Sequence, residues 1–222
     1  MVSSGIKCTA ALILISCIIL SGCISDDTPK PTLTAEQIDA KIIDVVSNLD
    51  ESDLSSFASA DELVTMGEQA APALAERLDD EDAYSRWAAA YALSNIAPVS
   101  SQSTQVEITP ALKAAFADED EFVSVTAAAT AVSVGEKTGF PILIKALRND
   151  NSLEFIEPRK SVSAYAFEVL SYYAGQDFGY DTQTPLSERE TSVKKWESWW
   201  AANQDQLVWN PDKGEYGGYD VA

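Results

Sequence analysis

The chain has no histidine, and its only cysteines, Cys8, Cys17 and Cys23, fall before residue 24. The commonest general base at neutral pH and the commonest metal ligand are therefore missing. Ser-His-Asp and Cys-His arrangements are excluded, and beyond residue 23 so are disulfides and thiolate metal sites. Positive charge is scarce: 15 Lys and Arg stand against 35 Asp and Glu, a formal charge of −20. Such a surface repels a phosphate backbone, so no nucleic-acid partner is expected. It attracts cations and basic partners, and it also serves plain solubility. Glycine is sparse, at 10 of 222 residues, and no Gly-rich phosphate loop is present. Gly214, Gly217 and Gly218 stand in a terminal tail with no strand signal before them. Carboxylate pairs abound, but in so acidic a chain chance supplies them. No residue set forms a catalytic site, and neither enzyme activity nor a cofactor is expected.

One long apolar run is present, Thr9 to Leu20, with Lys7 before it and the small residues Ser21 and Gly22 after it. This is the layout of a signal peptide, too short for a comfortable membrane span. Leu20-Ser21-Gly22-Cys23 resembles the lipobox of prokaryotic lipoprotein signals. The resemblance implies cleavage before Cys23 and acylation of its sulfur with palmitate-like chains. Two acyl chains would anchor stably where one binds marginally. The expected organisation is a signal peptide over 1–22, a lipid-attached tether over 23–32, a helical repeat domain over 33–206 and an irregular tail over 207–222. The domain would sit on the outer face of a prokaryotic membrane, bacterial or archaeal, in an undetermined oligomeric state.

Past the tether the chain repeats itself. Residues 71–97, APALAERLDDEDAYSRWAAAYALSNIA, align with residues 109–135, TPALKAAFADEDEFVSVTAAATAVSVG. Pro72 falls on Pro110, Leu74 on Leu112, Asp80 on Asp118 and Ala89 on Ala127. A period of this length with helical apolar spacing inside each unit means stacked helical hairpins. A first helix is expected after Thr34, with Gln37 completing a capping box. A second segment carries Leu54, Phe57, Ala58 and Leu63. Hairpins follow over 68–96 and about 107–134, with the stretch 100–105 as a surface loop. A third unit starts at Phe140-Pro141, turns over Asn149 to Glu157 and returns through a helix from about Pro158 to Tyr173. The last helix spans Ser187 to Asn203.

Residues 63–97 resemble a HEAT or HEAT-like repeat in Met66-Gly67, Ala70, Pro72, Leu74, Leu78, Asp80, Arg86, Ala89, Leu93 and Ile96. In the second unit Ser124 replaces Arg86 and Ala131 replaces Leu93; the third unit matches mainly in its first helix. The resemblance spans roughly residues 60–175, and residues 188–204 resemble the closing helix after such repeats in some exported prokaryotic proteins. It implies an all-α, short, right-handed α-solenoid of about four hairpins, capped by a Trp-rich C-terminal helix. It also implies a binding scaffold with the inner helices lining a concave face. The related bilin-lyase subset gains no support, since no cysteine or histidine follows residue 23.

The acidic turns are the sharpest candidate site. Asp79, Asp80, Glu81 and Asp82 in one unit and Asp118, Glu119, Asp120 and Glu121 in the next would line one edge of the stack. Asp80, Asp82, Asp118 and Asp120 are weak candidates for a divalent cation, since hard cations take clustered oxygens. The competing role is local: Asp at a helix start accepts backbone N–H bonds. Arg86 is expected to pair with an acid or a carbonyl inside the stack. Trp196, Trp199 and Trp200 either cap its end or form an exposed stripe, and Asp177 to Asp181 forms a binding loop or tucks Phe178 and Tyr180 under the last helix. The leading functional reading is a lipid-anchored scaffold for an unidentified protein or peptide partner. The alternatives are a cation- or small-ligand-binding lipoprotein and, last, an enzyme.

Overall fold

Thr34 opens the first helix. Its hydroxyl accepts from Gln37 N at 3.3 Å, and Gln37 Oε1 accepts from Thr34 N at 2.9 Å, closing the expected capping box over α1 (Ala35–Ser47). These features come from a computed structural model that describes residues 32–49, 58–153 and 160–218. The lipobox, most of the tether, Leu54, Phe57, the far side of the third turn and residues 219–222 lie outside the described residues. Among those described, no helix is long and apolar enough to cross a membrane.

After α1 come α2 (Asp61–Thr65), α3 (Ala71–Arg77), α4 (Ala83–Ile96), α5 (Gln102–Ala114), α6 (Glu121–Ser133), α7 (Phe140–Ala146), α8 (Val162–Ala174) and α9 (Leu186–Asn203). Pro72 and Pro141 lie in first turns, where a missing N–H costs nothing. Helices α1, α3 and α5 pack side by side in one layer, and α2, α4, α6 and α8 in a second. Hairpins α3–α4, α5–α6 and α7–α8 join the layers, and α9 packs on α7. The fold is an all-α solenoid of stacked helical hairpins.

The second layer holds the core. Most of α4 and nearly all of α6 is buried, as expected of helices apolar on most faces. Runs of small residues, Ala88–Ala90 and Ala127–Ala129, let neighbours approach closely. The buried hydroxyls return to their own helix: Thr130 Oγ1 donates to Thr126 O at 2.8 Å and Ser133 Oγ to Thr130 O at 2.7 Å. Helix α6 ends at Gly135, whose φ of +94° is a conformation natural to glycine. The Trp209 ring lies where a Cβ would stand.

Three elements depart from the sequence reading. The stretch 100–105 is no loop, because Gln102 to Gln105 forms the first turn of α5, and Gln105 Nε2 ties it to Ala97 O at 3.0 Å. Pro110 therefore sits inside α5 rather than at its start. In the third unit, strands β1 (Ser152–Leu153) and β2 (Lys160–Ser161) pair antiparallel. Helix α8 then starts at Val162, where Ser161 caps it, rather than near Pro158. The tail is not irregular: β3 (Val208–Asn210) pairs antiparallel with β4 (Glu215–Gly217). Asn210 Oδ1 accepts from Asp212 N at 3.1 Å and Lys213 N at 3.3 Å to shape the turn. Tyr216 anchors the hairpin by donating to Val132 O at 3.1 Å.

Candidate functional site

The acidic residues gather at the turns between paired helices, and most have work within the stack. Asp82 accepts from Tyr84 N at 3.2 Å and Asp120 from Phe122 N at 2.8 Å, each capping its helix. An Asp or Asn side chain also folds back on the backbone two residues on in each turn. Asp80 Oδ1 accepts from Asp82 N at 3.0 Å, Asp118 Oδ1 from Asp120 N at 2.8 Å, and Asn149 Oδ1 from Asn151 N at 2.8 Å. These are Asx turns in three successive units. The Asp82 N–H, then the Arg77 guanidinium and the Ser85 hydroxyl, hold Asp80 below its usual carboxylate range against the opposing effect of burial.

Adjacent turns are bolted together. Arg86 is 8% exposed, and its Nε and Nη2 donate to the two Asp118 oxygens at 2.8 and 3.3 Å. Its Nη1 donates to Asp80 O at 3.1 Å and Glu81 O at 3.3 Å. Glu121 in turn accepts from Asn149 and, at 2.9 Å, from Asn151 of the next unit. The candidate cation ligands Asp80, Asp82, Asp118 and Asp120 are thus engaged by backbone N–H groups and guanidinium. Among the described residues no group of three or more Asp, Glu, Cys or His is placed to hold a metal.

Tryptophans close the far end. Trp196 and Trp199 are buried, and the Phe140 ring meets Trp199 at 5.7 Å and Trp200 at 5.6 Å. The loop before α9 tucks in. Phe178 stands edge-on to Trp196 at 4.9 Å, and Tyr180 donates to Leu147 O at 2.5 Å. Arg189, which the sequence did not single out, is buried behind it with its Nη1 2.7 Å from Asp150 Oδ1 and Nη2 2.9 Å from Thr182 O. Burial pushes the Asp150 carboxyl up, but the Ser163 hydroxyl and Arg189 more than offset this and leave it below the usual range.

On the outer side of α9 lies an open groove of about 700 Å³ lined by Phe178, Lys194, Lys195, Ser198, Trp199, Ala202, Asn203 and Gln206. Its lysines, like Lys137, which donates to Gln204 O and Leu207 O, meet no acid at salt-bridge distance among the described residues. Arg77, Arg86, Lys113, Arg148, Lys160 and Arg189 each meet an acid within 3.1 Å. Lys194 has no ion pair among the described residues, and the one bond of Lys195 there is to Phe178 O at 3.4 Å. Two adjacent lysines in a chain of charge −20 were a legible signal, obscured by the tryptophans around them.

Stacked two-layer hairpins bolted turn to turn define a helical-repeat solenoid. Residues 72–156, from the first turn of α3 into the third turn, match the family model for HEAT repeats. HEAT repeats generally mediate protein–protein interaction and are generally noncatalytic. No curated protein matches the chain at a significant level.

Proposed function

We propose that this protein is a noncatalytic scaffold, held to the outer face of a prokaryotic membrane by lipid on Cys23, that positions a protein partner near that membrane. The stack of HEAT-like hairpins carries the reading. Its polar side chains are spent on capping and on joining units, which serves a rigid surface rather than a reaction. Solenoids of this kind offer an extended surface to macromolecules. The absence of histidine from the whole sequence agrees with a noncatalytic role. The Leu20–Cys23 motif and the polar tether after it support the anchor.

Cross-linking in intact cells tests this, comparing the native chain with Cys23→Ser and identifying what co-purifies. The expected outcome is a membrane-fraction chain that captures one abundant envelope protein, both features being lost in Cys23→Ser. A native chain that captures no protein would overturn the scaffold. A Cys23→Ser chain that stays in the membrane fraction would overturn the lipid anchor.

A further inference from the structure

We propose that the groove along α9 docks a short acidic peptide segment of the partner, which deepens the scaffold reading and rests on it. Charge comes first. Lys194 and Lys195 are exposed and make no salt bridge among the described residues, though Lys194, after Arg148, helps hold the Glu190 carboxyl below its usual range, and no Asp or Glu lines the groove. The acids nearest on the helix are already engaged: Glu190 accepts from Arg148 Nε at 3.0 Å and Nη2 at 2.9 Å, and Glu197 from Arg148 Nη1 at 2.9 Å. Lys195, with Lys194 only partly offset by Glu190, thus offers a positive spot on a molecule of formal charge −20.

The rest of the lining suits a peptide better than a bare anion. Trp199, Phe178 and Ala202 give apolar surface, while Ser198, Asn203 and Gln206 give polar groups for a peptide backbone. From Lys194 to Asn203, where α9 ends, the helix advances about 14 Å at 1.5 Å per residue. That is the span of about four extended residues.

The wall opposite α9 is held under strain. Phe178 has φ +48°, the one positive-φ residue other than glycine among those described. Such strain persists only where the surroundings over-determine it, and it clusters at functional sites. Here Gly179 N donates to Asp177 Oδ1 at 2.7 Å and Ser192 Oγ donates to Gly179 O at 3.0 Å, fixing the loop. The strained residue sets its ring against Trp196 and points its carbonyl at the Lys195 ammonium, 3.4 Å away.

The global charge sets the ligand's length. Beyond a Debye length of about 8 Å at physiological salt the lysines are screened, while the acidic body repels an extended polyanion. A short segment with one or two carboxylates beside an aromatic or aliphatic side chain gains the local attraction without that penalty.

A phage-displayed library of random peptides about seven residues long, enough to cover the helical stretch of the groove with flanking residues at ~3.3 Å per residue, is selected against the full chain and against Lys194→Glu/Lys195→Glu. Both lysines are exposed, so the variant keeps the fold. The expected winners carry Asp or Glu next to an apolar residue, and their affinity falls about tenfold or more in the variant, the product of two exposed pairs. Winners that bind both proteins equally would place docking elsewhere and overturn the groove while leaving the scaffold intact. A library that yields no winner overturns the groove too, and the in-cell cross-linking decides the scaffold separately.

Discussion

Arg86 shows what a single side chain does in this stack. It joins the first turn to the second with a fork on Asp118 and two bonds to carbonyls of its own turn. Both partners are buried, their side chains 10% and 8% exposed, so removing one strands the other away from water. Arg86→Ala is expected to lower the unfolding free energy by about 3 kcal/mol, measured by urea titration. Arg86→Lys should recover only part, because one ammonium cannot reproduce the fork. Replacing both residues by apolar ones should cost less than the alanine alone; a double variant weaker than Arg86→Ala would show that the pair is not the source of the loss. Asp80 gives a pH-dependent counterpart. Its folded carboxyl titrates below the usual range, so its stabilisation is present above about pH 4, the unfolded value, and is lost as pH falls through the folded one. Asp80→Asn keeps an Asx turn, as Asn149 does naturally, and removes the charge beside Arg77. The gap in urea midpoint between native chain and variant should be full at pH 7 and close below about pH 4. That Arg86 would meet an acid or a carbonyl inside the stack was legible from its place in the repeat, though not that Asp118 of the next unit is the acid. Arg189 was not, because Asp150, Tyr180 and Thr182 come together only when the loop before α9 folds back.

Between elements, the decisive quantity is how closely helices approach. Gly139 precedes α7, and a Cβ there would lie 2.5 Å from Ala128 O and 2.9 Å from Val132 Cγ2 of α6. A backbone carbonyl in a buried helix cannot give way, so Gly139→Ala should destabilise by about 1–3 kcal/mol. Thermal unfolding of that variant is the check, and an unchanged midpoint would mean that α6 and α7 can separate without cost. At the other end of the third unit, Trp196 is fully buried between Phe178 and Trp199. Trp196→Ala should cost about 3–5 kcal/mol in urea unfolding, with dye-binding apolar surface exposed near α7. A cost below about 1 kcal/mol, within the range of a surface substitution, would mean that the tryptophans do not close the stack. The spacing of Trp196, Trp199 and Trp200 placed them together on one helix in advance. The start of α5 was harder to read, because its first turn is Gln, Ser and Thr on a solvated face and the buried apolar period begins only at Ile108. Pro110 reinforced the error: proline usually marks a first turn, but here it lies within the helix. The β3–β4 hairpin is likewise two strands of three residues, too short for alternation to show.

For the molecule as a whole, architecture came from the repeat period, and charge sets how the architecture responds to its surroundings. Acids exceed bases by 20, so even if every cation took an acid partner many carboxylates would remain that only repel one another. At about 0.01 M salt the Debye length is about 30 Å, and each carboxylate feels the others across the molecule; at 0.1 M it is about 10 Å. Salt also weakens ion pairs, but exposed pairs such as Arg148–Glu190 contribute only ~0–1 kcal/mol each. The buried pair Arg86–Asp118 is screened far less, and Arg189–Asp150, buried on the arginine side only, somewhat less. Relief of repulsion should therefore win, since self-repulsion at high net charge opposes the compact state. The thermal midpoint is expected to rise by several degrees from about 10 mM to about 0.5 M sodium chloride, with most of the gain below about 0.1 M, where screening changes fastest relative to the size of the fold. A midpoint that falls over the same range would mean that ion pairs between turns, rather than burial in α4 and α6, carry the stack. Peptide capture in the α9 groove should respond in the opposite direction at high salt, because there the attraction of two lysines is what salt removes. Running both titrations on one preparation separates the two effects of the same charge: one sign repels along the body of the solenoid, the other attracts at its closed end.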